Sequence, residues 1–202
     1  MTFTCDKLTA ATCAAVTARC ERVRAGVDIG FSDASAPRFL RGARPGVWMS
    51  VAEDAGARDA LAVDLDPKTV LMMGCGGELP FDDRQFDAVV LATELFERRG
   101  PRLEKVIQET HRILQGGGCL FFTVPESADE PGWTARAIYE LLRNGFDVVG
   151  LKRPPWWCFG LTGRRMTVCA RRKNWKNRGV PIVGAAMPVS SAMLSPRTRI
   201  KL

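Results

Sequence analysis

Gly74-Cys75-Gly76-Gly77-Glu78-Leu79-Pro80-Phe81-Asp82-Asp83-Arg84-Gln85-Phe86-Asp87-Ala88-Val89-Val90 decides how the rest of the chain is read. The four leading residues have the look of a phosphate-binding loop, but Leu79-Pro80-Phe81 comes within two residues and leaves no room for the helix such a loop must open. They are read instead as the turn after a strand. The acidic stretch Asp82-Asp83 is a surface loop, and the apolar run Ala88–Ala92 is strand-sized.

Working outward, short apolar runs alternate with helical patterns from Val47 onward, the order expected of a parallel sheet with helices on both faces. The strand candidates are Val47–Val51, Ala60–Asp64, Val70–Met73, Ala88–Ala92, Cys119–Val124, Phe146–Leu151 and Met166–Ala170. The expectation is therefore an α/β fold with one doubly wound, seven-stranded, mostly parallel sheet and a C-terminal antiparallel hairpin. Pro101 opens a helix with Leu103, Val106, Ile107, Ile113 and Leu114 on one face, and Gly116-Gly117-Gly118 is expected to close it. A second helix is predicted over Pro131–Arg143, with Asn144-Gly145 as its stop.

The chain's 202 residues, 46% hydrophobic, suit one buried core rather than two full domains. The expected division is an N-terminal helical or targeting segment over 1–36, the α/β domain over 37–178 and an extended basic tail over 179–202. No apolar run reaches membrane-spanning length. Seven cysteines without a Cys-x-x-Cys pair, and a single histidine, His111, speak against structural zinc or a disulfide framework, so no metal is expected. They also suit a reducing intracellular compartment, cytoplasmic or, for a eukaryotic source, mitochondrial or plastid.

The formal charge of +7 is uneven, because residues 151–202 contain no Asp or Glu. Arg171-Arg172-Lys173-Asn174-Trp175-Lys176-Asn177-Arg178 interleaves five positive charges with a tryptophan, which suits either RNA contact or a solvated tail. Trp156, Trp157 and Phe159 form an aromatic loop that either meets a flat substrate or partner protein or packs onto the sheet.

In an open parallel sheet the ligand lies beyond the carboxyl ends of the strands, where an acid closing the second strand can accept from a ribose diol. Asp64, after Leu61-Ala62-Val63, is read in that place, with capping of the next turn as the open alternative.

The stretch from Gly74 to Val90 resembles the class I S-adenosylmethionine-dependent methyltransferases of the broad type-11 group, in which a strand ends at a turn, Leu-Pro-Phe and an acidic loop come next, and Phe-Asp leads into the fourth strand. Glu94-Leu95-Phe96-Glu97, Thr110-His111-Arg112-Ile113-Leu114 and Gly116-Gly117-Gly118 continue the likeness in order, over roughly Val47–Ala170. The short link from Asp64 to Gly74 and the closing Leu161–Thr167 look most like a plant and algal branch.

The resemblance implies S-adenosylmethionine as cofactor, held beneath Ser50, Val51, Ala52, Asp64, Cys75, Gly76 and Thr93. Glu94 is the carboxylate nearest an acceptor, which is a small molecule or a macromolecule. Two departures stand out. The expected first loop, Ser50–Ala57, has one glycine, and Cys75 stands where the family has the aspartate that accepts from adenine. They support a second functional reading: a catalytically silent fold serving as a structural or assembly subunit of a larger complex, one that contains RNA in one form of this reading.

Overall fold

Ala25-Gly26-Val27-Asp28-Ile29 combines two β-branched residues with a glycine and a buried acid, and it forms the central strand, β1 (Ala25–Ile29). Gly26 is there because the Trp48 ring lies against it. A Cβ at that position would sit 2.6 Å from the indole. The computed structural model describes residues 12, 15, 16, 18, 19, 23–43, 46–97, 100–125, 133–153 and 165–173.

The other strands are β2 (Val47–Ala52), β3 (Val70–Met72), β4 (Phe86–Leu91), β5 (Leu114–Pro125), β6 (Phe146–Lys152) and β7 (Arg165–Arg172). They form one sheet in the order β3-β2-β1-β4-β5-β7-β6. The pairs β1–β2, β2–β3, β1–β4 and β4–β5 are parallel, and β7 runs antiparallel to both its neighbours. The expected architecture, a mostly parallel seven-stranded sheet ending in an antiparallel pair, is the one observed.

The helices are α1 (Ser35–Ala43), α2 (Ala55–Asp64), α3 (Pro101–Ile113) and α4 (Ala135–Leu142). On one face of the sheet, Leu103, Val106, Ile107 and Ile113 of α3 and Ile138 and Leu142 of α4 pack onto Val27, Ile29, Val89, Leu91, Leu120 and Phe122. On the other, Leu40 of α1 joins Trp48, Val90, Phe121 and Val16. Full burial of each such side chain stabilises by about 1.5–3 kcal/mol, so these two layers hold the sheet between its helices. No helix among the described residues is long and apolar enough to cross a membrane.

Three expectations need correction. Ala60–Asp64 is not a strand but the second half of α2, because Asp54 caps that helix by accepting from Ala57 N at 2.9 Å and the apolar run then keeps helical spacing. Val47–Val51 lies in the second strand rather than the first, since β1 precedes it. The sheet consequently begins at Ala25, inside the segment 1–36 expected to stand apart from it. The glycines at 116–118 lie within β5, with Gly117 at φ +83 beside a register shift opposite Phe86–Ala88, so α3 ends earlier, at Ile113.

Candidate functional site

The carboxyl ends of β1, β2, β3 and β4 lie side by side, tied by Gly30 N to Val51 O at 2.8 Å, Met73 N to Ala52 O at 2.8 Å and Ala92 N to Ile29 O at 2.9 Å. The segments that leave these strand ends build the site. After β1, Gly30 takes φ +82, where other residues are strained, and the chain turns through Phe31-Ser32-Asp33 into α1. Asp33 accepts from Ser35 N at 2.7 Å and from the Ser35 hydroxyl, so a carboxylate of the chain itself already occupies the positive end of α1.

After β2 comes Glu53, its side chain 30% exposed and 3.7 Å from Arg102 at the start of α3. After β3, Gly74-Cys75-Gly76-Gly77 makes a single 3-10 turn closed by Gly74 N on Glu78 O, with Gly76 and Gly77 both at positive φ. Cys75 is exposed. After β4, Thr93–Phe96 forms another short turn whose Leu95 packs directly on Gly30: a Cβ on Gly30 would lie 2.7 Å from Leu95 Cγ.

Glu53, Glu94, Leu95, Glu97, Gly100, Pro101, Arg102, Leu103 and Val106 line a cavity of about 400 Å³ at this edge. That volume lies in the range of small-molecule sites. Its lining holds three carboxylates and one guanidinium together with the apolar side chains of Leu95, Leu103 and Val106.

Beneath the site, Asp28 on β1 is 1% exposed and faces Arg41 of α1 at 3.3 Å. Arg41 also donates to Ser50 Oγ at 3.0 Å, to Trp48 O and to Pro37 O. Burial pushes the Asp28 carboxyl up to about 6, while Arg41 and Ser50 hold it back. This triad pins α1 to β1 and β2 from below.

The residues predicted for the site divide into two groups. Cys75, Gly76, Thr93 and Glu94 do stand just beyond the third and fourth strands. Ser50, Val51 and Ala52 are buried within β2, paired to β1 on one side and to β3 on the other, so their backbone cannot approach a ligand. Asp64 lies at the far end of α2 and is paired with Arg38, which also reaches the Asp64 carbonyl. It is therefore not the acid after β2; that acid is Glu53. The loop after the first strand is Gly30–Ser35, not Ser50–Ala57. Asp28-Ile29-Gly30, an acid two residues before a glycine at a strand end, is the sequence signal that locates it. Trp156, Trp157, Phe159 and the tail 179–202 lie outside the described residues.

Residues 42–122 match the family model of the methyltransferase domain. The match begins after β1 and its loop, the part that departs furthest from a glycine-rich pattern. Ubiquinone/menaquinone biosynthesis C-methyltransferases of two strains of Rhodopseudomonas palustris are 35% identical over 82 residues, which is 39% of this chain and 30% of theirs. The chain thus spans under a third of the length of these curated relatives.

Among solved structures, the Burkholderia thailandensis 1,6-didemethyltoxoflavin-N1-methyltransferase, bound to 1,6-didemethyltoxoflavin and S-adenosylhomocysteine, superposes with a TM-score of 0.68 at 19% identity, over 85% of this chain and 81% of that one. A Haloferax volcanii putative methyltransferase in complex with the Trm112 activator gives 0.63 at 18%, over 81% and 89%. The [4+2]-cyclase SpnF gives 0.64 at 17%, over 83% and 80%. Strand order and these superpositions give the chain the fold of S-adenosylmethionine-dependent methyltransferases, and the match over residues 42–122 marks that stretch as similar to their methyltransferase domain.

Proposed function

We propose that the chain binds S-adenosylmethionine over the carboxyl ends of β1–β4 and transfers its methyl group to an acceptor that enters beside Glu94. The observation that carries this reading is Glu53. It is a partly exposed carboxylate immediately after β2, on the wall of a cavity of about 400 Å³, and it can accept from both hydroxyls of a ribose. Its carboxylate lies 3.7 Å from the Arg102 guanidinium on the same cavity wall. Cys75 and Gly76 lie beside the place for the adenine, and Thr93 and Glu94 flank the acceptor side. When bound, the cofactor supplies an activated methyl group, so the protein's task is to align a nucleophile with it and to exclude water. No acid–base pair is required.

A catalytically silent fold acting as a structural or assembly subunit is the second reading. Leu95 seated on Gly30, Asp33 at the start of α1 and Cys75 in place of a carboxylate favour it, because each removes or fills a place where the cofactor would be held. The H. volcanii neighbour, which is in complex with an activator, is a precedent for partnering on this fold. SpnF, named as a cyclase, shows that the fold does not dictate one chemistry.

Calorimetric titration with S-adenosylhomocysteine separates the two readings. The wild type is expected to bind, and Glu53→Gln to bind at least about tenfold more weakly, given the loss of a charge-assisted acceptor. A wild type that takes up no S-adenosylhomocysteine overturns the cofactor reading and leaves the scaffold.

A further inference from the structure

Arg172 ends β7 and is only 8% exposed, yet among the described residues no carboxylate pairs with it. One amino group, Nη1, donates to Leu114 O, while Nε is sealed from solvent without an acceptor. Burial lowers the pKa of this guanidinium, and a second arginine, Arg84, lowers it further against the weaker pull of Asp83. A buried guanidinium without a carboxylate partner calls for an anion.

The arrangement is built rather than accidental. Phe86 pairs with Leu114 at the start of β4 and β5, which sets Arg84, two residues earlier, beside the carbonyl that Arg172 holds. Arg84 is the one described non-glycine residue with positive φ, at 58°, and its N–H donates to Arg112 O at 2.9 Å. A long cationic side chain in that strained conformation is unusual, and Arg84 is exposed, so its guanidinium is open to solvent.

Three of the nearby carboxylates are engaged by other cations. Asp83 and Glu109 hold Arg112 at 3.1 and 2.8 Å, and Asp147 lies 3.6 Å from Lys173. Arg84 and Arg172, which form no ion pair among the described residues, lie at the amino edge of the parallel strands, opposite the carboxyl ends that build the candidate site.

We infer that Arg84 and Arg172 form an anion site for a phosphate group, with Arg84 supplying the exposed contact and Arg172 the buried one. The ligand is either free phosphate or the phosphodiester of an RNA strand. The second source is continuous with the basic run that extends from Arg172 in the sequence.

The test uses the full chain and inorganic phosphate at ionic strength held constant with sodium chloride. Phosphate at tenfold its Kd is expected to raise Tm by about 3 °C in the wild type. Arg84→Asn, whose side chain tolerates positive φ, is expected to fold normally and lose that rise. Arg172→Lys, which keeps the charge and loses the fork, is expected to retain part of it. Equal stabilisation of the wild type and Arg84→Asn overturns the site. A labelled single-stranded RNA dodecamer identifies the source. RNA displaced by phosphate and lost in Arg84→Asn makes the phosphodiester the ligand, whereas RNA binding indifferent to both, alongside a phosphate response that needs Arg84, makes it free phosphate.

Discussion

The two edges of the parallel strands use their charged groups differently. At the carboxyl edge, Glu53, Glu94 and Glu97 surround a cavity, and Arg102 reaches Glu53 across its wall at 3.7 Å. At the amino edge, Arg112 alone holds Leu79 O at 3.0 Å, Phe81 O, Glu109 at 2.8 Å and Asp83 at 3.1 Å. That one side chain fastens the whole β3–β4 loop to the end of α3. One edge gathers its carboxylates around open space, and the other has most of its polar groups closed on the chain. Substitutions in the Arg112–Glu109 cluster of the amino edge are therefore expected to act mainly on stability, and those at the carboxyl edge mainly on binding.

The largest effect is expected at Glu109. Its carboxylate accepts from Leu79 N at 3.1 Å and from Arg112, and that guanidinium draws its pKa below the ordinary value. Glu109→Gln keeps an acceptor for Leu79 but leaves Arg112 without its closest charge. The expected loss is about 2–3 kcal/mol, read as a fall in Tm of roughly 4–10 °C. The change should leave S-adenosylhomocysteine binding intact. An equal loss in binding would show that the two edges are coupled and break the comparison.

The next effect is one of sign. Asp28, beneath the carboxyl edge, is raised from 3.8 to about 6, so its folded value lies above the unfolded one. Its contribution is fully present below about pH 4 and is lost as pH rises through 6, about 3 kcal/mol in all. Glu109 is the reverse case, because its lowered value gives stability that is present above its ordinary pKa and lost as pH falls through the folded one. The difference in unfolding free energy between wild type and Asp28→Asn should therefore fall between pH 4 and 6. The same difference for Glu109→Gln should be flat above about pH 5 and fall as pH drops below the ordinary glutamate pKa of 4.5. Parallel curves for the two variants would refute burial as the main influence on Asp28.

The uneven legibility of the chain has a physical cause. From Val70 to Ala170 the strands are apolar runs bounded by Gly, Pro and acidic turns, and the packing that forms them is encoded locally. The first half is different. β1 contains Gly26 and Asp28, residue types that strands disfavour, and only tertiary partners explain them: the Trp48 ring against Gly26, and Arg41 with Ser50 around Asp28. A reading by local pattern passes over β1, counts β2 as the first strand and gives Asp64 the place after the second strand that Glu53 holds; the motif at Gly74 restores the register. Leu61-Ala62-Val63 is ambiguous by itself, and the Asp54 cap that makes it helical depends on where β2 ends.

The smallest predicted effect tests whether the carboxyl edge is limited by its chemistry or by its shape. Cys75 stands exposed in the turn after β3, where a thiol is a weak acceptor and the family's carboxylate would receive a hydrogen bond from the adenine amino group. Gly76 and Gly77, at φ +74 and +94, already supply the turn, so an aspartate at 75 needs no backbone change and costs little in stability. One recovered charge-assisted hydrogen bond should tighten S-adenosylhomocysteine about fivefold to tenfold in Cys75→Asp, measured by calorimetry. If the variant folds normally and its affinity is unchanged, the acceptor is not what limits the site. The limit is then the closed approach at β1, where Leu95 rests on Gly30 and Asp33 already occupies the end of α1.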